Sequence, residues 1–148
     1  MSVDQATLER LRSTVWPALE QAYGLPTGTL YAVSWWETRG TWSGEPGGAG
    51  SRGIFQLRPI ALAQVKQDTG MTHNPDNPYS ASTAAAALLS RYLRLFGQPA
   101  LMIAAYNAGE GRVRGFVKQV QTGGRGALPS ITVDYVKNVM PVIGGMQP

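Results

Sequence analysis

Hydrophobic positions recur at steps of three and four along most of the chain, the spacing of helices that each bury one face. Residues 4–23 set Leu8, Leu11, Val15, Leu19 and Ala22 on one side, with Pro17 as a kink and Gly24 as the stop. Thr27 is placed to cap a second helix in which Leu30, Val33, Trp36 and Glu37 share a side and which Gly40 ends. A third helix runs over 56–69 through Leu57, Ile60, Ala61 and Val65. After the turn-rich stretch GMTHNPDNPYS, Ser80 or Ser82 opens a long helix with Ala85, Leu88, Leu89, Tyr92, Leu93 and Phe96 inward. Further helices follow over 98–107, over 110–122 with Val113, Phe116, Val117 and Val120 inward, and from Ser130 or Thr132 through Tyr135, Val136 and Val139. No pair of segments alternates as paired strands do. The pattern predicts a mainly α fold of about seven helices, and 148 residues without a repeat or a break in composition form one domain, 1–148.

One stretch escapes the periodicity. From Gly40 to Gly53, six of fourteen residues are glycine, giving a loop whose backbone can take left-handed angles and come close to a ligand. It follows directly on Glu37. The residues three, four and seven positions before Glu37 are Ser34, Val33 and Leu30, so its carboxyl shares a largely apolar face. Burial and the negative end of its own helix both predict a raised pKa, which suits a general acid; an ordinary exposed helix-end glutamate is the alternative. Gly50, Gly53 and Gln56 form G-x-x-G-x-x-Q, and an amide with donors and acceptors beside a small-residue surface fits a sugar.

Composition narrows the chemistry. There is no cysteine and a single histidine, His73, in a proline-rich loop, so neither a metal centre nor an organic cofactor is predicted. The net charge of +4 favours an anionic partner. The thirteen Lys and Arg are scattered, and the densest group, Arg112, Arg114 and Lys118, carries no recognition-helix or RNA-binding signature. No nucleic-acid partner and no membrane insertion are predicted, and the opening MSVDQATLERLRSTVW does not read as a signal peptide. Of the nine carboxylates, Asp4, Glu9, Glu20 and Asp68 read as solvated helix residues.

Four motifs in order, Glu37-Thr38, Gly50-Ser-Arg-Gly53-Ile-Phe-Gln56-Leu57, Ala104-Ala-Tyr106-Asn107-Ala-Gly109-Glu-Gly111-Arg-Val113 and Tyr135-Val-Lys-Asn-Val139, resemble the Slt-type lytic transglycosylases, over about residues 28 to 140. The resemblance implies a lysozyme-like fold with the glycine-rich loop at an active-site groove, and cleavage of peptidoglycan between N-acetylmuramic acid and N-acetylglucosamine. It implies that Glu37 is the catalytic acid and then the base, leaving a 1,6-anhydromuramoyl end. It also implies substrate contacts at Thr38, which stands where the family has serine, at Gly53, Ile54, Phe55 and Gln56 along the saccharide groove, at Tyr106 near the acid, at Asn107, and at Tyr135. Two family positions differ: a helper serine falls near Gly47, and a glutamate falls at Ile131. Among the tryptophans, Trp36 reads as core, Trp35 as either, and Trp42 on the loop as the better sugar platform.

The rival readings are a peptidoglycan hydrolase, with Glu45, Glu110 or Asp134 as second carboxylate, and a non-catalytic wall-binding domain. A monomer acting in the periplasm or on the cell wall is expected. A bacteriophage protein carried in the virion or released at lysis, or a domain of a longer exported protein, would reconcile that site of action with the missing export signal.

Overall fold

Pro17 has no N–H to donate, and in an unbroken α-helix its ring would meet the carbonyl four residues back. The computed structural model, which describes residues 2–143, accommodates it without ending the helix. Helix α1 (Gln5–Arg10), capped by Asp4 Oδ1 accepting from the Thr7 N–H at 2.7 Å, passes into a π-turn, Leu11–Val15, and continues as α2 (Trp16–Tyr23). The Trp16 N–H bonds the Leu11 carbonyl, five residues back, so the ladder is already opened where Pro17 enters. The wider turn also rotates the inward face. After Leu11 the buried positions are Trp16 and Glu20; Val15 and Leu19 are only partly covered, and Ala22 is exposed.

That rotation corrects two expectations. Glu20 is buried rather than solvated, and it caps the next helix in place of Thr27. Its Oε1 accepts from the Gly28 N–H at 3.1 Å and its Oε2 from the Leu30 N–H at 2.8 Å, satisfying donors that the first turn of α3 (Thr29–Glu37) leaves open. Burial raises the Glu20 pKa, and the backbone donors of Leu30, Gly28 and Thr29 oppose the rise.

The remaining helices are α4 (Pro59–Thr69), α5 (Pro78–Phe96), α6 (Pro99–Ala108), α7 (Glu110–Gln121) and α8 (Ser130–Val139). With 5–23 counted as one body they are seven; the described residues add two short 3-10 turns, Gly48–Gly50 and Met140–Val142, and isolated bridges, Ser2 with Ser43 and Arg52 with Leu57, in place of strands. Helix α5 starts earlier than its serines suggest. Asn77 Oδ1 caps it by accepting from the Tyr79 and Ser80 N–H groups, while Ser82 is buried and accepts from Trp16 Nε1 at 2.8 Å. Its run Ala84–Ala87 is buried, and these short side chains let α5 pack against α2, α4 and α6. Helix α4 starts later than expected, because Gln56 belongs to a turn and Pro59 takes the first helical position. Val113 is the one buried residue of α7, and Val120, expected inward, is 51% exposed. No described helix is long and apolar enough to cross a membrane.

Replacing Glu20 by Gln keeps the shape but turns one acceptor into a donor facing an N–H. The variant should lose about 1–3 kcal/mol of stability, measured by urea unfolding with an unchanged m-value.

Candidate active site

Helix α3 ends at Glu37 because the chain folds back tightly there. Thr38 Oγ1 donates to the Ser34 carbonyl at 2.7 Å and accepts from the Trp42 N–H at 3.0 Å, and Arg39 and Gly40 both take left-handed angles, φ 54° and 76°. Trp42 turns inward, 8% exposed, with Nε1 donating to Ser34 Oγ at 3.0 Å. Thr38 and Trp42 therefore fasten the helix end. Neither is free for a sugar, which corrects both expectations.

Trp36, expected in the core, is half-buried and lines a cavity of about 410 Å³ with Glu37, Arg39, Asn107, Asp134 and Tyr135. Leu30, Val33 and Ser34 take the buried face of α3, and Glu37, the last residue of that face, is only partly covered, as is Trp36 beside it. The Arg39 guanidinium lies 4.0 Å over the Trp36 ring, and Tyr135 meets that ring edge-on. The α8 residues that line the cavity, Ile131, Asp134, Tyr135 and Asn138, follow the i, i+3, i+4, i+7 rhythm of one helical face. That rhythm was present in the sequence and would have extended the site beyond Tyr135. No such signal marks Arg39, whose place depends on the turn.

The Tyr135 hydroxyl donates to Glu37 Oε2 at 2.7 Å, joining residues 98 positions apart. Oε1 has no hydrogen-bond partner among the described residues. Burial pushes the Glu37 pKa up to about 7; the Tyr135 hydrogen bond and the charges of Arg39 and Arg58 hold it from going further. The Tyr106 hydroxyl, 8% exposed as a residue, donates to the Phe55 carbonyl at 2.6 Å. Burial and then the Glu37 charge raise the pKa of both tyrosines well above the usual value, so both remain donors. Asn107 Oδ1 accepts from the buried Thr132 Oγ1 at 2.7 Å, which ties α6 to α8 beneath the cavity.

The glycine-rich loop has another role than the one read from its motif. Gln56, at φ 49°, donates through Nε2 to the carbonyls of Glu45 (2.8 Å) and Gly53 (2.9 Å), and its Oε1 accepts from Ser51 Oγ at 3.0 Å. The amide clasps the loop. Phe55 is fully buried, edge-on to Trp16, so it belongs to the core and not to a groove. Gly53 and Ile54 line a different depression, of about 290 Å³, with Glu45 and Arg52. Gly53 admits no side chain, since a Cβ there would lie 1.7 Å from the Pro75 carbonyl oxygen. A Cβ on Gly47 would fall 2.2 Å from Gln56 Oε1 and 2.5 Å from Ser51 Oγ, so the clasp itself fills the place of a serine side chain.

Of the rival carboxylates, Glu110 pairs with Arg91 at 2.7 Å and Arg114 at 2.6 Å, and these partners hold its pKa low. Asp68, read as solvated, pairs with the same Arg91 at 3.0 Å. Glu45 sits at the loop depression. Asp134 shares the Glu37 cavity but is exposed. His73, half-buried, has Nδ1 3.2 Å from Ser80 Oγ.

The transglycosylase SLT domain matches residues 14–127, which include Glu37, the Gln56 clasp, Tyr106 and Asn107. The chain belongs to this family. Among solved structures, it is similar to an inactive mutant of the lytic transglycosylase Slt from Pseudomonas aeruginosa in which one glutamate is glutamine. That match has 26% identity and a TM-score of 0.72 and covers 86% of this chain and 22% of that one. The 70 kDa soluble lytic transglycosylase Slt70 from Escherichia coli superposes with a TM-score of 0.70 at 23% identity, over 85% of this chain and 23% of that one, and shows the shared lysozyme-like fold. The chain thus spans under a quarter of the length of either protein. No curated protein matches the chain.

Two outcomes follow for this SLT domain. A glutamate whose folded pKa is raised binds its proton more tightly in the native state, so its stabilisation is complete below the unfolded value of 4.5 and is lost as pH rises through about 7. Glu37→Gln should therefore match the native protein at pH 4 and exceed it at pH 8 by up to about 3 kcal/mol, measured by denaturant unfolding at both pH values. Gly47→Ser, a serine of the kind the family resemblance implies near this position, should open the clasp and lower stability by roughly 1–3 kcal/mol, read from the same denaturant unfolding.

Proposed function

We propose that this chain is a peptidoglycan lytic transglycosylase that uses Glu37 alone as acid and then base. The observation that carries the reading is the state of Glu37: half-buried, near neutrality in pKa, with one oxygen held by Tyr135 and the other open. Because Oε2 accepts from Tyr135, the acid proton resides on Oε1. From there it passes to the glycosidic oxygen as the bond from the muramoyl C1 breaks, leaving an oxocarbenium-like centre. The substrate's 2-acetamido carbonyl supports that centre. The muramoyl C6 hydroxyl then attacks C1 and returns its proton to Glu37, so no water is consumed and the new end is a 1,6-anhydro ring. Tyr135 favours the carboxylate through its hydrogen bond, which readies Glu37 to act as the base. Asn107 and Trp36 border the space where the sugars would lie.

The hydrolytic reading has one observation in its favour, Asp134 in the same cavity. An inverting hydrolase would need it about 6.5–9.5 Å from Glu37 to activate water. Its exposure and the family both favour the transglycosylase. The glutamine-for-glutamate change in the inactive Pseudomonas aeruginosa mutant fits a reaction that turns on one glutamate.

Mass spectrometry of digested peptidoglycan should show anhydromuramoyl ends with both the native chain and Asp134→Asn, and Glu37→Gln should lower the rate by roughly 10²- to 10⁴-fold. Reducing ends that carry water and vanish with Asp134→Asn would establish the hydrolase. For the native chain, kcat/KM should fall as pH rises through about 7, because the acid must be protonated.

A further inference from the structure

Beyond the α6–α7 junction lies a cavity of about 320 Å³ lined by Arg58, Ile60, Gln64, Tyr92, Gly109 and Glu110 among others. Asn107 borders the Glu37 cavity and the residues that follow it, Ala108 to Gly111, border this one, so the two flank a single stretch of chain. Two of its side chains lack partners. Arg58 is half-buried and makes no hydrogen bond or ion pair with the described residues. Other arginines are engaged: Arg52, Arg91 and Arg114 with carboxylates, Arg12 and Arg39 with aromatic rings. Tyr92 is 7% exposed and its hydroxyl has no partner. No fully enclosed side-chain polar atom of the described residues is unsatisfied, so this hydroxyl must open onto the cavity.

A half-buried guanidinium and a nearly buried hydroxyl, both donors, present an acceptor-shaped gap. The one carboxylate on the wall, Glu110, is already paired with Arg91 and Arg114 and forms no ion pair with Arg58. Burial pushes the Tyr92 pKa up to about 12, so its hydroxyl keeps its proton. Arginine's fork matches a carboxylate in two parallel hydrogen bonds, and a third donor from tyrosine suits the same group. Ile60 and Ala61 add an apolar wall. The Arg58 charge also acts on Glu37 and Tyr106, which places the gap within electrostatic reach of the acid.

Resting on the transglycosylase reading, we infer that Arg58 and Tyr92 form a carboxylate subsite for the glycan strand held at Glu37. It takes the lactyl carboxylate of a muramoyl unit or a carboxylate of its peptide substituent, and so selects acidic strands over neutral ones.

The test uses the full chain carrying Glu37→Gln, so that ligands persist. Calorimetry compares muramoyl oligosaccharides with a free lactyl group, the same with the peptide present, and each after conversion of its carboxylates to methylamides. At least one acid form should bind roughly 10- to 100-fold tighter than its amide, the worth of hydrogen bonds to a charged group. Whichever form shows the preference identifies the source of the carboxylate. Arg58→Gln added to this background should abolish the preference and leave amide binding unchanged; Tyr92→Phe should reduce it several-fold. Equal affinity for acid and amide, no binding of either, or equal loss on both with Arg58→Gln overturns the subsite. In the otherwise native chain, Arg58→Gln should raise KM on acidic strands and not on amidated ones, apart from any shift of the pH profile that loss of its charge beside Glu37 brings to both. If Arg58 acted only through its field on Glu37, removing its charge would instead carry the pH profile upward on acidic and amidated substrates alike. Cleavage without a preference would sink the subsite alone, whereas a preference without cleavage would sink the enzymatic reading.

Discussion

The Glu20 carboxylate at the head of α3 is the contact on which the placement of Glu37 depends. Helix α3 is short and mostly buried, and its first turn has no side-chain cap of its own. Without an acceptor, its buried N–H groups would go unpaired, at a cost comparable to much of a small domain's net stability. Glu20 can supply the acceptors only because the π-turn ahead of Pro17 rotates it inward, beside Trp16. The other end of α3 is closed by Thr38, Ser34 and Trp42. A helix fixed at both ends holds Glu37 in one place, and a long proline-containing helix at the start of the chain thereby sets the position of an acid on another element.

The two carboxylates of this arrangement sit at opposite ends of one dipole. Glu20 faces the end where N–H groups converge, so backbone donors oppose the effect of burial. Glu37 sits at the end where carbonyls converge, and only a hydroxyl and two arginines oppose burial there. The outcome is a structural anion at one end and a titrating acid at the other. The tight loop after Glu37 serves the same purpose by other means. Gln56 joins Glu45, Ser51 and Gly53, and Gly53 presses against the Pro75 carbonyl, so the loop is braced by contacts that exclude larger residues.

Much of this was legible from the order of residues. Seven helices, the absence of paired strands and the shielded position of Glu37 all follow from periodicity, because a helix that buries one face must repeat its apolar residues. What the periodicity missed has one physical origin in each place. The π-turn shifts the register by a residue, so Ala22 and Glu20 exchanged their expected environments. The start of α5 was misplaced because Asn77, ahead of a proline, outcompetes the serines as a cap. Gln56, Thr38 and Phe55 sit in motifs that resemble sugar-contact sequences, yet hydrogen bonds and packing that close within the protein occupy them. Trp36 and Trp42 traded roles because the chain reverses at Arg39, and a reversal leaves no periodic trace.

The tie between Tyr135 and Glu37 bears on whether one carboxylate can serve both halves of the proposed reaction. An acid too strong would rarely carry the proton that the glycosidic oxygen needs, and one too weak would be a carboxylate too seldom, and too costly to form, to take a proton back afterward. Burial alone would drive Glu37 toward the second extreme. The Tyr135 hydroxyl stabilises the charged form on Oε2 while leaving Oε1 open, and the charges of Arg39 and Arg58 add to the same effect. Because Tyr135 is anchored in α8, which Thr132 fastens to Asn107 on α6, the donor is positioned independently of α3 and its loop. The balance near neutrality is therefore set by three separate elements of the fold, and it holds only while all of them keep their places around the cavity.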